Sequence, residues 1–160
     1  MSVPSVGQDC PDFELPESDG QFVSKASLKG RPFVLYFYPK DDTSGCTTEA
    51  IEFTALIEDF AALGVEVFGV SPDSVSKHCR FRDKHGLKVG LLADEEKTLL
   101  QAFGVWVEKS MYGRKYLGVE RTTALIDREG KVAKVWKKVK AGGHAKEVLD
   151  AAKAMKDSGA

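Results

Sequence analysis

The chain has 160 residues, enough for one domain over residues 1–160 that buries roughly 70% of the surface its unfolded form exposes. Its 23 basic and 24 acidic side chains form no like-charge block, so composition gives no electrostatic reason to expect a nucleic acid or an anionic membrane as partner. No apolar run approaches the roughly 20 residues that span a bilayer, and the opening Met1-Ser-Val-Pro lacks a basic stretch followed by an apolar one, so a cytoplasmic protein is expected.

In chain order, Cys10-Pro-Asp-Phe-Glu-Leu-Pro16 and Gln21-Phe-Val-Ser24 flank Ser18-Asp-Gly20, which predicts two short strands around a turn. Phe33 to Phe37 is apolar at every position, the pattern of a strand covered on both faces in a largely parallel sheet. Beyond Cys46, the residues Phe53, Leu56, Ile57, Phe60 and Leu63 recur at helical spacing, with Gly64 in the place of a C-terminal cap; one continuous amphipathic helix is expected. Val65 to Val70 reads as a second interior strand, and together these three make a β-α-β unit.

Asp73 or Ser74 caps a helix running to about His85, closed by Gly86, and Gly90 to Ala93 is a short strand. Asp94 caps another helix, with Glu95 and Glu96 in its first turn, Leu99, Leu100 and Phe103 turned inward, and Gly104 at its end. Val105 to Glu120 has no clean period and is expected to be a long structured loop bordering a site. Thr122 to Ile126 and Val132 to Trp136 flank the turn Asp127-Arg-Glu-Gly130, an antiparallel hairpin, and a last helix carries Ala145, Val148, Leu149, Ala152 and Met155. The order specifies an α/β fold with a mixed central sheet flanked by helices, the arrangement of thioredoxin-like domains.

The stretch Pro39 to Glu49 lies between the first interior strand and the long helix, which puts Cys46 in the first helical turn, where free N–H groups and the dipole favour an anion. The three cysteines, Cys10, Cys46 and Cys79, are odd in number and widely spaced, so they form no structural disulfide framework, and any disulfide is expected to be transient.

Pro39, Thr43 and Cys46 form Pro-x-x-x-Thr-x-x-Cys, and Tyr38-Pro-Lys-Asp-Asp-Thr-Ser-Gly-Cys-Thr-Thr-Glu-Ala50 resembles the peroxidatic-cysteine motif of the peroxiredoxins, most closely in the bacterioferritin-comigratory or Q-type subfamily. The resemblance continues through Gly69-Val-Ser-Pro-Asp-Ser74 and Met111-Tyr-Gly113 to Gly118-Val-Glu-Arg-Thr-Thr123. It implies a thiol peroxidase that needs no metal or bound cofactor, reduces hydrogen peroxide and organic hydroperoxides, and takes electrons from thioredoxin. By the same resemblance a monomer is expected.

The chemistry fits the residues. A thiolate must attack one peroxide oxygen while the other leaves with negative charge, so both oxygens need orienting donors. The Thr43 hydroxyl accepts a hydrogen bond from the peroxide while donating toward the sulfur, although a helix-capping role is equally open to it. Pro39, which the resemblance places over the site, shields the sulfur with an apolar ring. Arg121, carried over from the family's late arginine, supplies a permanent charge and several donors; without the motif it reads as a surface ion pair.

The sulfenic acid left on Cys46 must be recycled by another thiol. Many Q-type members carry a resolving cysteine five residues after the peroxidatic one, but that position is Ile51 here. The other family arrangement puts it in the helix after the second strand, nearer Arg82, one turn from Cys79, so Cys79 is the candidate resolving cysteine. Pairing needs Cα atoms within about 7 Å, which requires local unwinding near Cys46. The alternatives are a one-cysteine cycle with an external thiol and a redox-responsive binding module. General disulfide exchange would use a Cys-x-x-Cys, which is absent.

Ser44 stands where the family commonly has proline, and Cys10 where it has a buried alanine. His78, Cys79 and His85 lack the four-ligand pattern of a structural zinc site. His144, at the start of the last helix, is read as a terminal or surface residue and not a base, with no role assigned, and Glu49 is read as structural, a helix-stabilising or salt-bridging first-turn acid. Trp106, Met111 and Tyr112 read either as packing under a loop or as an apolar collar for organic peroxides. Gly142-Gly-His-Ala-Lys146 lacks phosphate-loop spacing.

Overall fold

In the computed structural model, which describes residues 3–158, a small hairpin of β1 (Glu14–Pro16) and β2 (Phe22–Ser24) leads into β3 (Phe33–Phe37), the middle of the main sheet. β4 (Glu66–Ser71) pairs with β3 in parallel, and β5 (Gly90–Ala93) extends the sheet beyond it. On the other side β8 (Thr122–Ile126) runs antiparallel to β3 and is followed by β9 (Val132–Trp136), giving the order β5-β4-β3-β8-β9. Every residue of β3 is buried, because its two faces serve two cores.

Val34 and Tyr36 face a cluster built with Phe53, Phe60, Val148 and Leu149, whereas Phe33, Leu35 and Phe37 face Phe13, Leu15, Leu99, Leu100 and Phe103. This is the period-two division expected of a strand between two layers. The first layer comprises α1 (Ser44–Ala55), α2 (Ile57–Ala62), α3 (Val75–His85) and α5 (His144–Asp157); the second contains α4 (Thr98–Ala102). Gly69 lets two tyrosines cross β4, since a Cβ there would meet the Tyr36 ring at 2.7 Å and Tyr38 at 2.9 Å.

Four expectations are corrected. The continuous helix from Cys46 to Leu63 is two helices, because Leu56 leaves helical geometry and its N–H bonds to Phe53 O at 3.1 Å, a tight turn that an i, i+3, i+4 pattern accommodates equally well. The segment from Val105 to Glu120 is largely a hairpin, β6 (Trp106–Met111) with β7 (Arg114–Val119), joined by Tyr112-Gly113, both at positive φ. Its alternation is invisible in sequence because, of the two strands, only Val119 is buried. α4 begins at Thr98, so Glu95 and Glu96 precede it, although the Asp94 carboxylate still accepts from Leu100 N at 2.8 Å.

The fourth correction is His144, which is buried, not at the surface. Its Nε2 lies 2.8 Å from Thr123 Oγ1, and its ring meets Phe53 and Trp136 edge-on. Burial, with the Arg121 charge adding to it, lowers its pKa from 6.5 to about 4. The folded chain therefore favours the neutral ring, so this contribution is present above about pH 6.5 and lost as pH falls toward 4. Urea unfolding of His144→Gln should show a loss of stability on acidification that is smaller than in the wild type by up to about 3 kcal/mol.

Candidate active site

The end of β3 delivers the chain through Tyr38 and the half-buried Pro39 into a loop that closes on α1. Thr43 occupies the N-cap position, and the first intrahelical bond runs from Thr47 N to Thr43 O at 2.8 Å. Cys46 is the third residue of the helix, so its N–H and those of Ser44 and Gly45 have no intrahelical acceptor. The expected first-turn location holds. The thiol is buried at 1% exposure, packed in the core cluster of Val34, Tyr36 and Phe53.

Arg121 crosses from the start of β8 to this helix end. Its Nη2 donates to Cys46 Sγ at 3.3 Å and its Nη1 to Glu49 Oε1 at 2.8 Å. The surface ion-pair reading is replaced by a guanidinium clamped between a sulfur and a fully buried carboxylate. Glu49 lies three residues after Cys46, on the same face of α1, which is the signal that could have drawn attention to it. Burial raises its pKa from 4.5 to about 7 against the lowering effect of Arg121; Glu49 Oε2 has no hydrogen-bond partner among the described residues.

Gly45 leaves room for this clamp. A Cβ at that position would stand 3.1 Å from Arg121 Nη2. Gly45→Ala should therefore displace the guanidinium by a few tenths of an ångström and slow any Cys46 chemistry that uses it by about tenfold, with little change in melting temperature. Stopped-flow rates with the purified variant check this.

The Thr43 hydroxyl donates to Lys40 O at 2.8 Å, not toward the sulfur, and makes no side-chain cap bond. Its lone pairs remain available to an incoming O–H. Lys109 of β6 borders the site: burial, then the Arg121 charge, holds its ammonium below the usual lysine range. Trp106 packs against the second core with Lys97 over its ring, whereas Tyr112 at the hairpin tip is 98% exposed and collars nothing.

Cys79 is not brought to Cys46. It is half-buried on α3 with its Sγ donating to Ser18 O at 2.9 Å, the same oxygen that accepts from Arg82 Nη1, and all three cysteines are free. Cys10 is buried as expected, and burial pushes its thiol up to about 12. His78, Cys79 and His85 diverge, toward Asp41, Ser18 and Asp42 respectively.

A buried cysteine at a helix N-terminus with an arginine on its sulfur is equipped to hold and polarise a small oxidant. Residues 6–135 match the model of the AhpC/TSA family. "Peroxiredoxin Bcp" of Bacillus subtilis is 48% identical over 152 residues, covering 95% of this chain and 97% of that one. The chain belongs to the peroxiredoxins, in their Bcp or Q-type branch. The solved peroxiredoxin Q of Xylella fastidiosa, a cysteine-to-serine mutant, superposes with a TM-score of 0.92 at 36% identity, covering 98% of this chain and 99% of that one. A Xanthomonas campestris bacterioferritin comigratory protein, described for its alkyl peroxide reduction activity, gives 0.89 at 42%, covering 94% and 99%. This peroxiredoxin is thus a thiol peroxidase with a thioredoxin-like fold. Among the described residues, no helix is long and apolar enough to cross a membrane.

Proposed function

We propose that this peroxiredoxin reduces hydrogen peroxide and organic hydroperoxides at Cys46, and that the carrying observation is the Arg121 guanidinium held 3.3 Å from Cys46 Sγ by its ion pair with Glu49. The anionic sulfur attacks the terminal peroxide oxygen. An S–O bond forms, the O–O bond breaks, and its electron pair leaves on the second oxygen, which is protonated to water or an alcohol. Free N–H groups of α1 and the guanidinium face the charge that develops. Thr43 accepts a hydrogen bond from the substrate, and Pro39 limits water at the sulfur. The alkyl peroxide activity named for the Xanthomonas relative supports the substrate class.

Recycling proceeds through Cys79 and a dithiol reductant such as thioredoxin, in a monomer whose clamp residues all come from one chain. Because Cys79 faces Ser18, a direct reaction of the Cys46 sulfenate with an external thiol is the second reading. Mass spectrometry after one equivalent of peroxide separates them. A Cys46–Cys79 disulfide in the wild type, replaced by sulfenate in Cys79→Ser, supports resolution by Cys79; sulfenate in both proteins establishes the external route.

A further inference from the structure

Two adjacent aspartates of the Cys46 loop hold opposite ends of α3. Asp41 Oδ2 lies 2.6 Å from His78 Nδ1, near the helix start, with side chains 2% and 0% exposed. Asp42 receives Lys84 Nζ at 2.7 Å and His85 Nε2 at 2.9 Å, in the last turn. The inner contact is fully committed. His78 Nε2 faces Leu92 O at 3.0 Å, an oxygen that only accepts, so Nε2 carries a hydrogen and Nδ1 shares a second one with Asp41. Tyr38 Oη donates to Asp41 Oδ1 at 2.6 Å, and Asp41 N donates to Asp73 Oδ2 at 2.7 Å.

Asp41, Asp73 and His78 have the donor set of a cation site, with ligand atoms within 4.8 Å of one another. Their atoms are already engaged: Asp73 also accepts from Ser71 Oγ at 2.7 Å and pairs with Lys77 Nζ at 2.8 Å. The group is therefore a hydrogen-bonded tie between loop and helix. Of the 11 residues of α3 only His78 and Phe81 are buried, and the helix is otherwise tied by polar contacts, among them the Cys79 and Arg82 bonds to Ser18 O. A helix with so few apolar contacts is suited to local opening, with polar ties setting the cost.

We infer that Asp41 and Asp42 form a double clasp on α3 that sets how fast Cys79 reaches the Cys46 sulfenate. The inference rests on the reading of Cys79 as the resolving cysteine. Cys79 must leave Ser18 O and α3 must turn or unwind, which breaks Asp42–Lys84 and Asp42–His85 and then Asp41–His78. The Cys79 thiol gives up its proton as its sulfur attacks Sγ of the Cys46 sulfenic acid, an S–S bond forms, the S–OH bond breaks, and the departing hydroxide takes up that proton to become water. A tight clasp lengthens the life of the sulfenate, and a second peroxide can then oxidise it to sulfinate.

Asp42→Asn keeps a residue that tolerates the positive φ of 61° while removing the charge. Quenched-flow mass spectrometry of sulfenate, disulfide and sulfinate should give a disulfide rate about threefold above wild type, with peroxide attack unchanged within about twofold. The peroxide concentration giving half sulfinate should rise by the same factor. Lys84→Gln/His85→Gln, which opens the outer clasp from the helix side, should match it and add little when combined with Asp42→Asn. His78→Asn should accelerate disulfide formation further, by about tenfold or more, if it remains folded by circular dichroism. An unchanged disulfide rate in both outer-clasp variants overturns the clasp while leaving Cys79 as resolver. Absence of any Cys46–Cys79 disulfide in the wild type overturns the resolver reading and the clasp with it.

Discussion

Cys46→Ser should lower thiol-dependent peroxide consumption by about 10⁴-fold or more, to the level of the uncatalysed reaction with the reductant. The expectation follows from the distribution of the three thiols. Cys10 is 1% exposed and its pKa is raised to about 12, so it supplies negligible thiolate near neutrality. The Cys79 thiol donates to Ser18 O, and the nearby Arg82 guanidinium donates to that same oxygen, whereas the Arg121 guanidinium donates to Cys46 Sγ itself. Only Cys46 joins a helix N-terminus to a guanidinium contact, and a serine hydroxyl in the same place is far too weak a nucleophile to replace it. Steady-state turnover with a dithiol reductant, corrected for the protein-free rate, measures the loss.

Arg121→Met should slow the peroxide step by about 10²–10³-fold without abolishing the fold. Methionine fills much of the volume but offers neither the Cys46 nor the Glu49 contact. The side effect on Glu49 is itself measurable. Its carboxyl is already raised to about 7 by burial, with Arg121 the main opposing influence, so loss of the guanidinium raises it further. In linkage terms, a raised carboxyl favours the folded state below its unfolded value of 4.5, and this contribution is lost as pH rises through about 7. Arg121→Met should therefore lose stability more steeply than wild type on going from pH 5 to pH 8, as read by urea unfolding. Arg121→Lys keeps the charge but cannot reach both partners with a rigid fork, so it should rescue only part of the rate.

The parts legible in sequence were those encoded locally. Phe33 to Phe37 reads as an interior strand because both faces are covered, and both cores are there. Cys46 in the first turn of α1 follows from one strand ending and one helix beginning, and Arg121 reached the site through family resemblance. What escaped depends on partners distant in sequence. Glu49 reads as a first-turn or salt-bridging acid; it lies past the first turn of α1 and does form a salt bridge, but its burial and its partner Arg121 depend on the approach of β8, and His144 looks superficial until Thr123, Phe53 and Trp136 enclose it. The β6–β7 hairpin escaped for a different reason: with one strand residue buried, it has no hydrophobic period to read, and only the positive φ at Tyr112 and Gly113 reveals its turn.

The clasp on α3 escaped for the first reason as well. Asp41 and Asp42 belong to the string that carries the peroxidatic motif, yet His78, Lys84 and His85 lie beyond an intervening strand. The same loop thus contacts two helices, leading into α1 with Thr43 and Cys46 and bonding the helix that bears Cys79.

The most direct measurement is peptide-level mass spectrometry of Cys79→Ser protein treated with one equivalent of hydrogen peroxide and trapped with a sulfenate-selective dimedone reagent. The label should fall on Cys46 alone, at a rate that drops with Arg121→Met. Label on Cys10 with Cys46 unmodified, or a Cys46 labelling rate indifferent to Arg121, would contradict the assignment of peroxide chemistry to the Cys46–Arg121 pair.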